Sequence, residues 1–120
     1  MKAIPESVVL KRVMLTASKL KCRLMRNNRG MFYTMDGRKV MAGLSAAGSS
    51  DLIGWHRITV TPEMVGREIA VFLAVEVKRK GGRSSDDQDK FIEIVNESGG
   101  IAFICDDEKK IKKELDLRFS

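Results

Sequence analysis

Glu76 and Lys78 place an acid and a base at the end of an otherwise apolar segment that begins at Ile69. Successive side chains of a β-strand alternate between its two faces, so Glu76 and Lys78 point to one face and Val77 to the other. Burial of a carboxylate without a partner costs several kcal/mol. We therefore expect Glu76 to face a cation, a metal ion or a water-filled cleft, and this strand end is a candidate functional site.

Helices are predicted on both sides of this strand in the sequence. Pro5 suits the first turn of a helix, and apolar residues recur at helical spacing as far as Leu20, which predicts a helix over 5–25. A capping box opens at Ser85, and an apolar stripe then continues to a pair of glycines, which predicts a second helix over 85–98. The candidate site therefore lies between an amino-terminal helix and a well-capped later one.

The remaining elements are short strands and a final helix. Segments rich in apolar, β-branched or aromatic residues and bounded by polar or glycine turns are typical of strands. The predicted strands cover residues 31–34, 51–60, 69–78 and 101–105, and a last helix follows Asp106 or Asp107. The order α-β-β-β-α-β-α predicts an α/β fold of mixed α+β type, in which helices flank a central mixed sheet. No linker divides the chain, so we expect one domain over residues 1–120.

The two parts of the chain differ in charge. The net charge is +6, but residues 1–50 hold ten basic and two acidic side chains, a net of +8, whereas residues 51–120 hold twelve basic and fourteen acidic ones, a net of −2. Such asymmetry favours a face that binds a polyanion, built mainly by the first helix and the loop after it. A basic helix face that is merely solvated explains the charge equally well, so both interpretations stay open at this point.

Composition argues against membrane insertion and against a zinc site. No apolar segment approaches the roughly 20 residues of a membrane-spanning helix, and the first residues lack the signal-peptide pattern, so we expect a cytoplasmic protein. Cys22 and Cys105 lack zinc-ligand spacing, and His56 is the only histidine, with no Cys or His partner expected. Both cysteines are expected to be ordinary reduced thiols.

Six short segments add a further pattern around the Glu-x-Lys strand. They are residues 48–54, 65–66, 72–79, 82–88, 91–92 and 99–102. In residue type and spacing they resemble the VRR-NUC (virus-type replication-repair nuclease) domain of the PD-(D/E)xK nuclease superfamily, in its standalone phage and bacterial form. The superfamily name expects a proline before its aspartate, where this chain has Ser50, but that proline binds no metal. The resemblance implies a restriction-endonuclease-like core. If the chain is phage-encoded, we expect the protein to be located in the cytoplasm of a bacterial host cell.

The resemblance also implies an active site that hydrolyses phosphodiester bonds with Mg²⁺, for which Mn²⁺ would substitute. Asp51 and Glu76 would bind the metal ion together with the backbone carbonyl of Val77, since Mg²⁺ prefers oxygen ligands. Lys78 would orient or deprotonate the attacking water and offset the charge that develops at the phosphorus. The alternative for these side chains is a satisfied ion-pair cluster at a sheet edge.

Two further positions have both a functional and a structural interpretation. Glu6 matches an amino-terminal acid that many superfamily members add to the metal site, but the helix dipole also favours an acid in a first turn. Gln88 matches a family glutamine that lies beside the catalytic lysine. It is also the N3 residue of the capping box, three positions after Ser85. For Gln88 the two roles are compatible, because a side chain at a helix start can face a cleft.

The family resemblance implies a metal-dependent, structure-selective DNA endonuclease, and small standalone members resemble homodimeric Holliday-junction resolvases. A four-way junction has two-fold geometry, so its symmetric cleavage needs two active sites. The alternatives are a monomeric flap or nicking nuclease, a non-catalytic DNA-binding module and a protein that acts on RNA. Contacts to DNA phosphates are expected from Arg12, Lys19, Arg26, Arg29, Lys80 and Arg83.

Overall fold

The structure is a computed structural model that describes residues 3–28, 30–42 and 50–119. It divides into two compact units, Met1–Thr59 and Val60–Ser120. The first unit contains α1 (Glu6–Lys19), β1 (Cys22–Arg26), β2 (Gly30–Tyr33), β3 (Lys39–Ala42) and β4 (Leu52–His56). The second contains a short 3₁₀ turn (Pro62–Met64), β5 (Leu73–Val77), α2 (Asp86–Glu97), β6 (Ile101–Cys105) and α3 (Lys109–Phe119).

The predicted fold class is confirmed, with three helices and both parallel and antiparallel strands among the described residues. The strands pair two by two: β1 with β4 and β2 with β3 run antiparallel, and β5 with β6 run parallel. Five strands precede α2, where the sequence predicted three, because β1 and β3 are additional. The prediction of one domain over residues 1–120 stays a prediction.

The first helix ends earlier than the sequence predicted, so the predicted end at residue 25 is wrong. It stops at Lys19, and the chain turns at Lys21, whose φ of 63° lies in the left-handed region. Residues 22–26 then extend into β1, which pairs with β4 along its whole length. The end of the helix is decided by β4, the strand partner of β1, which lies about thirty residues later in the chain. The helical spacing of the apolar residues does not reveal this partner.

A glycine controls how closely β1 and β4 approach. Gly54 lies opposite Leu24 in the register, and a Cβ atom added to Gly54 would fall 1.8 Å from the carbonyl oxygen of Arg23. Such a distance is far inside van der Waals contact, so any larger residue must push the strands apart. The absence of a side chain at this position is therefore what permits the observed register.

The additional strand β3 forms a hairpin with β2. The N–H of Thr34 donates to the Arg38 carbonyl at 2.9 Å, and the N–H of Gly37 donates to the Thr34 carbonyl at 2.9 Å. Gly37 has a φ of 85°, a conformation that glycine adopts without strain. The dipeptide Asp36-Gly37 is a strong local hairpin signal, so this strand was predictable from the sequence.

The second unit is a β-α-β arrangement with a further helix. Parallel neighbours such as β5 and β6 need a crossover connection, which α2 supplies. The buried residues of β6 pack against side chains from the segment before β5, from β5 and from α3. This core consists of Ile101, Phe103 and Cys105, packed against Val71, Val75, Ile111 and Leu115. β6 is thus the central element around which the unit is built.

Asn96 ties α2 to β6 through the strand backbone. Its Nδ2 donates to the Ala102 carbonyl and its Oδ1 accepts from the Ala102 N–H, both at 2.9 Å. An amide group thereby supplies the donor and the acceptor that a neighbouring strand would offer. The helix is held at a fixed height on the strand, and with it the residues at the start of α2.

Beyond β6, an ion pair between Asp106 and Lys110 shifts the pKa values of both groups in opposite directions. Lys110 Nζ lies 2.6 Å from Asp106 Oδ1; this contact holds the pKa of the Asp106 carboxyl below its usual value and the pKa of Lys110 above its own. The stabilisation from Asp106 is therefore present above the ordinary carboxyl pKa and lost as the pH falls through the lowered one. For Lys110 it is present below the ordinary lysine pKa and lost as the pH rises through the raised one.

We expect the carboxyl resonance of Asp106 in an NMR titration to move at a lower pH than that of an ordinary aspartate. In Lys110→Met the midpoint should rise toward the ordinary value, because the donor is removed. The matched control is Lys113→Met, which removes an exposed charge from the same helix and should leave the Asp106 midpoint in place. An unchanged midpoint in Lys110→Met would contradict the assignment of the shift to this contact.

Candidate active site

The carboxyl ends of β5 and β6 meet at one edge of the parallel pair. Glu76 is the register partner of Ile104. One further backbone hydrogen bond follows the end of β5, in which the N–H of Lys78 donates to the Cys105 carbonyl at 3.0 Å. Ligands of parallel sheets bind outside this edge in many α/β proteins. The Glu-x-Lys sequence thus ends the strand where the topology makes room for a ligand.

Glu76 and Lys78 lie on the same face, as the strand alternation predicts. Lys78 Nζ is 3.3 Å from Glu76 Oε1, and the two side chains are 22% and 33% exposed, respectively. Both groups are therefore partly removed from solvent while still accessible at the surface. A pair in this state keeps its charges paired and remains open to a further polar ligand.

Gln88 contacts Glu76 and caps α2 at the same time. Its Oε1 accepts the N–H of Ser85 at 2.8 Å, its own N–H donates to Ser85 Oγ at 3.1 Å, and its Nε2 donates to Glu76 Oε1 at 2.8 Å. Both interpretations of Gln88 from the sequence, as a capping-box residue and as a neighbour of the site, therefore hold together. The start of the helix is directly connected to the carboxylate.

The carbonyl of Val77 faces away from β6. The Phe72 carbonyl accepts from the Ile101 N–H at 2.9 Å, and the Lys78 N–H donates to the Cys105 carbonyl at 3.0 Å, so even-numbered residues of this segment direct their backbone groups toward β6. Backbone groups of successive residues alternate between the two edges of a strand. Val77 therefore takes no part in this ladder, and its carbonyl lies on the opposite edge.

A cleft of about 420 Å³ opens beside Glu76, between β5 and α2. Its wall is mostly apolar, and its polar groups come from three side chains. The lining residues are Ala74, Val75, Glu76, Asp87, Gln88, Phe91 and Ile92. Apolar walls with a few polar groups occur in many ligand-binding clefts.

Asp51 belongs to the first unit, where Asn27 fixes its backbone. The backbone N–H of Asn27 donates to the Asp51 carbonyl at 2.8 Å, and its side-chain Nδ2 donates to the Ser50 carbonyl at 2.9 Å. Among the described residues, Asn27 is the only polar residue that is buried, at 8% exposure. No pattern in the sequence indicates this role of Asn27, because nothing in a polar turn after β1 shows that its side chain folds back onto the segment before β4.

The remaining acid, Glu6, is the first residue of α1 and is exposed. This position agrees with its structural interpretation, an acid near the positive end of the helix dipole. Glu6 and Asp51 lie in the first unit, and Glu76, Val77 and Gln88 in the second. Within residues 3–28, 30–42 and 50–119 there is no group of three or more His, Cys, Asp or Glu side chains placed to hold a metal ion.

Five of the candidates for phosphate contacts are described, and all five are exposed. Arg12 and Lys19 are seven residues apart on α1, about two turns, and therefore share one face of the helix. The others are Arg26 at the end of β1, and Lys80 and Arg83 in the turn after β5. Arg29 lies outside the described residues.

A family model of the VRR-NUC domain matches residues 16–108. The chain belongs to the VRR-NUC domain family. This domain is a nuclease domain, so the protein is a member of a nuclease family whose substrate is DNA. The matched range includes Asp51, Glu76, Lys78 and Gln88, whereas Glu6 precedes it. Comparison with the curated proteins and with the solved structures gives no match. No helix within the described part of the chain is long and apolar enough to cross a membrane.

The double role of Gln88 predicts a graded loss of stability at the start of α2. Ser85→Ala removes the hydroxyl acceptor of the capping box and should lower the free energy of unfolding by about 1 kcal/mol. Gln88→Ala removes the other half of the box and also the donor to Glu76, so its loss should be larger. Urea denaturation of the two variants measures the difference, and equal losses would contradict the contribution of the Glu76 contact.

The contacts of Asn27 predict that this side chain stabilises the first unit. Asn27→Ala removes the donor to the Ser50 carbonyl, which should cost about 0.5–1.5 kcal/mol of unfolding free energy. The matched control is Asn28→Ala, since Asn28 is the next residue and is exposed. The midpoint of urea unfolding should fall clearly in the first variant and little in the second; equal shifts would contradict the role of Asn27.

Proposed function

We propose that this VRR-NUC protein is a metal-dependent endonuclease that hydrolyses phosphodiester bonds in structured DNA. The observation that carries the proposal is the cluster of Glu76, Lys78 and Gln88 at the carboxyl end of β5, within the residues matched to the family. Electrostatic stabilisation of a phosphoryl transition state needs fixed charges at an accessible edge. A carboxylate held by an amide and paired with a lysine meets that need.

The oxygen atoms at the carboxyl end of β5 are of the chemical kind that Mg²⁺ prefers. Lys78 and Gln88 both contact Oε1 of Glu76, and Oε2 takes part in neither contact. The Val77 carbonyl lies outside the strand ladder, and Mg²⁺ prefers such oxygen ligands. We propose that Glu76, Val77 and Asp51 hold the ion, with Glu6 as a further ligand and Mn²⁺ as a substitute. When bound, the ion would polarise the phosphate and lower the pKa of a water molecule.

The roles of the side chains follow from what each can donate or accept. Lys78 has three N–H donors on a flexible stem, so it can hold the attacking water and offset negative charge at the phosphorus. Gln88 would act as a positioning residue, because its amide restrains the carboxylate of Glu76 before any substrate arrives. Arg12, Lys19, Arg26, Arg29, Lys80 and Arg83 would bind DNA phosphates without reading the base sequence.

The DNA structure that we propose as substrate is a four-way junction, cleaved by a homodimer as in Holliday-junction resolution. Paired cuts related by two-fold symmetry need two copies of the site in one complex. A monomeric flap or nicking nuclease is the alternative within the same chemistry. A non-catalytic DNA-binding module is the second candidate, and one observation favours it: Glu76 is already paired with Lys78 and Gln88.

The test uses the purified protein with end-labelled four-way junction, flap and linear duplex, with and without Mg²⁺. We expect junction cleavage only with the metal ion, and a loss of about 100-fold or more in Glu76→Gln and in Lys78→Met. Glu93→Gln is the matched control, because Glu93 is an exposed acid on α2. Junction binding measured in Ca²⁺ should persist in the site variants, and light scattering gives the oligomeric state.

The outcomes separate the candidates. Equal cleavage of all three DNA substrates would reject the resolvase role and keep the nuclease. Cleavage of the flap by a monomer would favour the alternative nuclease. Metal-independent binding with no cleavage in Mg²⁺ or Mn²⁺ would reject the enzyme and leave the DNA-binding module. Stronger competition by duplex RNA than by duplex DNA would point to an RNA substrate.

A further inference from the structure

The pairing of β1 with β4 brings together two reactive side chains that the sequence separates by more than thirty residues. Cys22 is the register partner of His56. The neighbouring pair, Lys21 and Arg57, is hydrogen-bonded, because the N–H of Arg57 donates to the Lys21 carbonyl at 2.9 Å. Such positions alternate with non-hydrogen-bonded ones, in which the two side chains lie closer. Cys22 and His56 therefore occupy the closer kind of pair.

The thiol and the imidazole are in contact. Cys22 Sγ lies 3.3 Å from His56 Nδ1, and its next acceptor, the Leu20 carbonyl, is 3.7 Å away. The expectation that His56 lacks a Cys partner was therefore wrong, as was the placement of Cys22 in a helix. Cys22 is partly exposed and His56 is exposed, so a small solute can reach the pair from solvent.

This contact provides a route for the thiol proton. A neutral imidazole with its proton on Nε2 accepts the S–H at Nδ1, and after transfer the Nδ1–H donates back to the thiolate, so one contact serves both states. The thiolate is the nucleophilic form of cysteine, so a neighbouring group that can take up the thiol proton bears directly on the reactivity of Cys22.

We propose that Cys22 and His56 form a thiol–disulfide exchange site for low-molecular-weight disulfides such as oxidised glutathione. The thiol proton moves to His56 Nδ1, and the Cys22 sulfur attacks one sulfur of the disulfide R–S–S–R. A Cys22–S–S–R bond forms as the reagent's S–S bond breaks, and the expelled thiolate takes up a proton to leave as R–S–H. Cys22 is oxidised to the disulfide level, and one R–S group is reduced to a thiol.

The second cysteine provides an internal comparison. Cys105 is buried, with 6% exposure, and its Sγ donates to the Asp107 carbonyl at 3.1 Å. Neither a histidine nor open solvent adjoins this thiol in its described surroundings. Modification of the folded protein should therefore fall on Cys22 and spare Cys105, and a single digest reports both sites.

The experiment incubates the folded protein with oxidised glutathione at pH 7 and follows the mixed disulfide at each cysteine by mass spectrometry of peptides. Only a few per cent of an ordinary cysteine thiol is ionised at this pH, which leaves room for a large acceleration. We expect His56→Gln to slow the reaction of Cys22 about tenfold and free imidazole to restore part of the rate. Cys22→Ser should abolish the modification, and a reducing thiol should reverse it.

A second measurement needs no substitution. The same cysteine should react several-fold faster in the folded protein than in the urea-unfolded chain, where His56 is no longer adjacent. A rate at Cys22 that is equal in the wild type and in a folded His56→Gln variant would overturn the proposal. So would a folded-state rate no higher than the unfolded one, or modification of Cys105 in preference to Cys22.

Discussion

The amide of Gln88 has only one orientation that satisfies its surroundings. Its oxygen accepts the N–H of Ser85 at the start of α2, so its nitrogen must face Glu76. The reversed amide would break the capping box and set an oxygen against a carboxylate, so both hydrogen bonds of the side chain would be lost. The capping box of α2 thus determines that the nitrogen of Gln88, and not its oxygen, contacts Glu76. The position of the Glu76 carboxylate therefore depends on α2, which Asn96 holds to β6.

The ion pair of Glu76 and Lys78 contributes little to the stability of the fold. Pairs that remain partly exposed contribute about 0–1 kcal/mol to folding, because water already solvates both charges and two side chains lose freedom. Two charges at the end of an apolar strand, restrained by a third polar side chain, are an arrangement that folding alone does not require.

The features predicted correctly from the sequence are those whose causes lie within a few residues. The capping box at Ser85 and the shared face of Glu76 and Lys78 follow from helix and strand periodicity alone. β1 was missed because the residues that pair with it lie in β4, and helical spacing before it masked the change of element. The role of Asn27 was equally hidden, since it depends on the carbonyl of Ser50, which only the fold brings near. The contact of Cys22 with His56 likewise arises from strand register, which no local pattern encodes.

The two hydrogen bonds between Asn96 and Ala102 also bear on where a further strand could pair with β6. β6 is paired with β5 on one side, and on the other its second residue, Ala102, already has both backbone groups occupied by the amide. An exposed strand edge is a template on which a second chain can add its own strand. A side chain that imitates a neighbouring strand closes that template at one residue, so a further strand could pair with Ala102 only after the Asn96 hydrogen bonds had broken.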